Sequence, residues 1–129
     1  MEKKPIFPGD PKMWKMTYSP AFEVSGGRIL FISGQVAFDE SGNVVGKDDI
    51  VVQAKKIFEK IGTILKAAGG DFNNVVKTNY FITDVSLFPK VATLRTEYFK
   101  KDFPASTMVE VSSLIHKDLL LEVEAVAVL

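Results

Sequence analysis

The chain has 129 residues, of which 47% are apolar and 25% charged, the size and composition of one globular domain with a sizeable core. Its formal net charge of +0 argues against nucleic acid or anionic membrane as a partner. No apolar run reaches the ~20 residues of a membrane-spanning helix, and the absence of cysteine excludes disulfides and thiol chemistry. Residues 1–16 contain proline without periodicity and read as an irregular surface segment of a single domain spanning 1–129. The start, Met1-Glu2-Lys3-Lys4-Pro5, has no apolar signal-peptide stretch, so a cytoplasmic location is expected. Phe22–Val24 and Arg28–Ile32 are β-rich and flank Gly26-Gly27, which predicts a glycine-turn hairpin. Val36–Phe38 continues the sheet. Asp39–Gly42 has turn chemistry without the ligand spacing of a calcium loop, and Asn43–Val45 follows as a short edge strand. Asp49 is suited to cap a helix. Ile50, Ala54, Ile57, Phe58, Ile61, Leu65 and Ala68 recur at three- and four-residue steps on one helical face, and Gly69-Gly70 ends it. Val75–Ile82 is a β-branched and aromatic strand. A second helix starts near Ser86, tolerates Pro89 in its first turn, and has a predicted stripe of Phe88, Val91, Leu94 and Tyr98. Lys100 and Lys101 are expected at its C-terminal dipole end. Thr107–Val111 and Leu119–Leu129 are the last strands.

The final strand is apolar on both sides. Leu119, Leu121, Val123, Ala125, Ala127 and Leu129 alternate with Leu120, Glu122, Glu124, Val126 and Val128. Two helices cover one face of a sheet, so the other face needs a partner, and an oligomer follows. The fold class is α+β: a mixed β-sheet with two helices on one face.

Seven stretches, taken together, resemble one family. They are Tyr18-Ser19-Pro20-Ala21, Phe31-Ile32-Ser33-Gly34-Gln35, Ala67-Ala68-Gly69-Gly70, Val75-Val76-Lys77-Thr78, Phe81-Ile82-Thr83-Asp84, Pro104 through Val111, and Leu121 through Ala127. In order and spacing the chain from Tyr18 onward is similar to the Rid family of reactive-intermediate deaminases, also called the YjgF family. The resemblance implies a chorismate-mutase-like fold and a homotrimer with a small-molecule cleft between subunits. It also implies cofactor-independent hydrolysis of imines and enamines released by PLP-dependent dehydratases, giving a 2-oxo acid and ammonia.

The resemblance carries residue roles with it. Glu122 matches the glutamate that positions the attacking water, a task for which a carboxylate is chemically suited. Tyr18, Ser33, Gly34, Ser106 and Thr107 match positions expected at the ligand. Ser106 stands where active deaminases have an arginine for the substrate carboxylate, and a hydroxyl does not replace that charge. Ala92 stands where they tend to have an asparagine. Activity on 2-imino acids is therefore in doubt, and the expected ligand is neutral or weakly polar. The only arginines are Arg28 and Arg95. Arg95 lies one turn beyond Ala92 and has two readings, compensation for the missing cation or a solvated helix residue, of which the second is favoured; Glu124 is read as a structural ion-pair or hydrogen-bond partner. His116, the single histidine, is read as an exposed loop residue, and with no cysteine it makes no zinc site. A deaminase-type hydrolase is the leading function. A non-catalytic binding or sensing trimer is the alternative, and the missing basic stripe disfavours an RNA-directed role.

Overall fold

The protein is described by a computed structural model covering residues 2–10, 12 and 17–129. The described residues form six strands and two α-helices: β1 (Glu2–Ile6), β2 (Ala21–Ser25), β3 (Ile29–Gln35), α1 (Ile50–Ala67), β4 (Val75–Ile82), α2 (Phe88–Arg95), β5 (Ala105–Glu110) and β6 (Leu121–Val128). The main sheet has the order β3-β6-β4-β5. β4 and β5 run parallel and the other pairs antiparallel. A parallel pair needs a long crossover, which here carries α2. The sheet is therefore mixed, with two helices packed on it, as expected.

α1 forms where its pattern predicts. Asp49 caps it by accepting from the Val52 amide at 3.1 Å, and Gly69 follows the helix at φ +88°, a left-handed value suited to glycine. Its buried face presents Ile50, Ala54, Ile57, Phe58, Ile61 and Leu65 to Tyr80, Ile82, Leu121 and Val123 of the sheet, within one contiguous core. Phe58, fully buried, stacks on Tyr98 at 4.6 Å and meets Phe99 edge-on at 6.1 Å.

Several expectations are corrected. Residues 2–6 of the segment read as irregular form β1, paired antiparallel with β2; residues 1, 11 and 13–16 lie outside the described residues. The segment EKKPI alternates exposed and half-buried positions, so it has no apolar signature, and Pro5 is compatible with an edge strand. The glycine-turn hairpin does not form. Gly26 and Gly27 do turn the chain at φ +68° and +81°, but β2 pairs with β1 whereas β3 pairs with β6. Asn43–Val45 forms only an isolated bridge, Phe38 to Val44. The second helix is shorter than its stripe suggested. A 3-10 turn over Val85–Leu87, capped by Asp84, leads into α2, and α2 stops at Arg95. Lys100 and Lys101 thus lie beyond its end.

Candidate functional site

Alternation along β6 sorts its side chains. Leu121 and Val123 are fully buried under the helices, so Glu122 between them is turned to the open face. There its carboxylate lies over the backbone of Gly34: a Cβ placed at Gly34 would come within 1.9 Å of Glu122 Oε2. Only a residue without a side chain leaves room for this approach. Gly34 sits where the β3–β6 register shifts, between Ile32 and Gln35, and that irregularity brings backbone under the carboxylate. Among the described residues Glu122 has no ion-pair partner. On the same face Asn79 donates to Glu124 at 3.0 Å, and Lys77 donates to the Thr107 hydroxyl at 2.9 Å. Glu124 is thus the structural hydrogen-bond acceptor expected.

Ser106 is on the other face. It pairs with Thr78 in the parallel β4–β5 register, and Thr78 is buried beneath the helices. Strand spacing and a three-residue offset put the Cα atoms of Ser106 and Glu122 roughly 14 Å apart. One chain therefore unites Glu122 with Gly34, with Ser33 next in sequence and exposed, and leaves Ser106 elsewhere. Tyr18 is half-buried in a segment tied to the start of β5. Ser19 bridges to Ala105, its amide donates to the Pro104 carbonyl at 3.0 Å, and its hydroxyl donates to the Phe103 carbonyl. Thr107 faces away from Ser106, toward Lys77.

The residue that sequence reasoning misplaced is Arg95. It is not solvated: only 3% of its surface is exposed. Its Nε donates to the Thr17 hydroxyl at 2.9 Å, and its Nη1 donates to the Ser106 hydroxyl in a long 3.4 Å contact. The guanidinium also lies 5.4 Å from the Tyr80 ring centroid and 5.3 Å from that of Phe88. No carboxylate of the described residues pairs with it. Burying an ion costs several kcal/mol even after relaxation. Two cation–π contacts of about 0.5–2 kcal/mol each, and a position at the C-terminus of α2 worth about 0.3–2 kcal/mol, offset part of it. Tyr80 beside it is also buried, and its hydroxyl has no partner with hydrogen-bond geometry. Burial pushes the phenol above its ordinary value, and the nearby guanidinium and Thr78 offset that only in part. The signal for Arg95 was present in its spacing: it follows Val91 by four residues and adjoins Leu94, two buried positions of the helix.

The remaining candidates are structural. Arg28 is exposed, and its guanidinium donates to the Ala68 carbonyl at 3.4 Å. His116 is half-buried rather than exposed. Its Nδ1 accepts from the Asp118 amide, and its ring meets Phe38 edge-on. Asp39 accepts from the Ser41 and Asn43 amides, an Asx turn as its loop chemistry suggested. Among the described residues no cluster of metal-ligating side chains occurs, and no helix is long and apolar enough to cross a membrane.

A mixed sheet under two helices, with a carboxylate laid over a glycine bulge, defines the class of the protein as α+β. The sequence model of the family described as endoribonuclease L-PSP matches residues 13–129, and the chain belongs to that family, the Rid or YjgF family. It is 42% identical over 111 residues to a RutC family protein of Pyrococcus abyssi, covering 85% of this chain and 84% of that one. To the human protein named 2-iminobutanoate/2-iminopropanoate deaminase it is 40% identical over 111 residues, covering 86% and 79%. Among solved structures, a conserved Rid-family protein of unknown function from Yersinia pestis superposes over 100% of both chains with a TM-score of 0.88 at 28% identity. RidA from an Antarctic Psychrobacter superposes over 98% of this chain and 94% of its own, with a TM-score of 0.73 at 33% identity.

Proposed function

We propose that the protein hydrolyses small imines to carbonyl compounds and ammonia. The observation that carries this reading is the Glu122 carboxylate, held over Gly34 with no ion-pair partner among the described residues. A carboxylate so placed holds a water and accepts its proton as the oxygen bonds to the imine carbon. Attack on the protonated imine gives a neutral carbinolamine, which then loses ammonia: the proton held by Glu122 goes to the nitrogen, the C–N bond breaks, the C=O forms, and the hydroxyl proton passes to the freed carboxylate and on to solvent. The deaminase names of the mammalian relatives support the same reaction class.

Two features support a site shared between copies of the chain. Glu122 and Ser106 occupy opposite faces of one sheet, too far apart for one small ligand to touch both. The open face also exposes Phe31 by 77% and Ile29 by 63%, an apolar patch that calls for a covering surface. A homotrimer would meet both needs by setting Ser106 of one copy against Glu122 of the next. The test is an imine generated in situ by a PLP-dependent dehydratase, alongside an imine lacking a carboxylate. Glu122-dependent loss of either above the spontaneous rate supports the proposal. If neither decays faster with the protein than without it, the hydrolase reading fails and a binding role takes its place.

A further inference from the structure

We propose that Arg95, working through the Ser106 hydroxyl, is the anion-recognition device of this chain, and that the ligand it selects carries a carboxylate. The inference rests on the hydrolase reading above for the site's location, and it reverses the expectation of a neutral ligand that Ser106 suggests by itself. Three observations carry it. First, Arg95, a cation with only 3% of its residue surface exposed, has no carboxylate partner among the described residues. Proteins rarely bury a cation without an anion to balance it. Second, its immediate polar neighbours are hydroxyls: Thr17, Ser106 and the unpartnered Tyr80. A cation surrounded by groups that can donate is a site built to receive an acceptor. Third, the direction of the Ser106 contact matters. Arg95 Nη1 donates to Ser106 Oγ, which occupies that oxygen as an acceptor and leaves its own proton to be given away. Ser106 is half-buried, so that proton is the accessible end of the pair. The positive charge stands one residue behind the hydroxyl and strengthens it as a donor toward an anion.

Arg95 comes from α2, whereas the side chain it supports comes from β5. The serine alone gives no hint of charge. Arg95 is therefore a positioning and charge-supplying residue, and the readout must report charge preference rather than activity alone. Calorimetric titration of the full chain with 2-oxobutanoate and with its neutral amide supplies that readout. The parent is expected to bind the carboxylate at least about tenfold more tightly. Arg95→Gln and Ser106→Ala should each bring the ratio close to one. Because Arg95 is buried, Arg95→Gln risks misfolding; Ser106→Ala removes one oxygen from a half-buried position and keeps the test decisive. Guanidinium ion added to Arg95→Ala should restore part of the preference, which a structural role for Arg95 would not produce. A parent that binds acid and amide equally would overturn the inference, as would a Ser106→Ala variant that keeps the full preference. Glu122→Gln separates the two proposals: it should abolish hydrolysis and leave the carboxylate preference intact. If imines are hydrolysed without that preference, the role of Arg95 falls and the hydrolase stands. If the preference exists without hydrolysis, the reverse holds.

Discussion

Gly34 and Glu122 make the sharpest case for a residue-level constraint. A methyl at Gly34 would overlap the end of the Glu122 side chain, at 1.9 Å from Oε2 and 2.7 Å from the carboxyl carbon. The overlapped atoms belong to a flexible side chain rather than to backbone, so the fold survives and the carboxylate moves. Gly34→Ala is therefore expected to melt within a few degrees of the parent while losing most imine hydrolysis, measured by thermal denaturation and the coupled assay. Tyr80 yields a second prediction. Its phenol is buried without a hydrogen bond and is pushed above its ordinary value of 10.0 chiefly by burial. The folded protein thus holds this proton more tightly than the unfolded chain. Stability from this group is full below pH 10 and falls as pH rises beyond it, because only the unfolded state then ionises freely. Tyr80→Phe should be neutral or stabilising by up to about 1 kcal/mol at pH 7. It should also flatten the alkaline decline in denaturant midpoints, and a steeper decline than the parent's would contradict this account.

At the scale of elements, legibility followed periodicity. α1 and β4 were readable because Ile50 through Leu65 and Val75 through Ile82 each obey one clear repeat, and both lie where that repeat puts them. β1 was not readable, because EKKPI gains its order from pairing with β2 rather than from burying an apolar face. Gly26-Gly27 described a turn correctly but not what the turn connects, since strand pairing is decided by partners distant in sequence. α2 is a different case: apolar spacing ran on to Tyr98, yet the helix ends at Arg95, and Tyr98 packs on Phe58 from outside it. Of the candidate site, Glu122 and Gly34 were legible through their motif. Arg95 was hidden because a charged residue on a short helix is ordinarily solvated, and only tertiary packing buried it. The aromatic cluster under α1 carries a stability prediction. Phe58 is fully buried among Tyr98, Phe99 and Phe72, so Phe58→Ala should cost about 3–5 kcal/mol in urea unfolding.

The whole molecule has one face under helices and one open. Phe31, at 77% exposure, and Ile29, at 63%, occupy β3 on the open side. A lone domain seldom shows such a patch unless something covers it. The proposed homotrimer predicts about three times the chain mass by light scattering. It further predicts that Phe31→Glu shifts the protein to monomer with unchanged far-ultraviolet dichroism and lost hydrolysis, because each site would need two copies. A monomeric parent at micromolar concentration would refute the shared site. The most direct test of the account remains the chemistry at Glu122. The lifetime of 2-iminobutanoate, generated by a PLP-dependent dehydratase, should be measured with the parent protein, with Glu122→Gln and with neither. The account predicts that the parent shortens it and that Glu122→Gln loses about 10²–10⁴-fold of the acceleration while still binding 2-oxobutanoate. An unchanged lifetime with the parent, or equal acceleration by the variant, would contradict it.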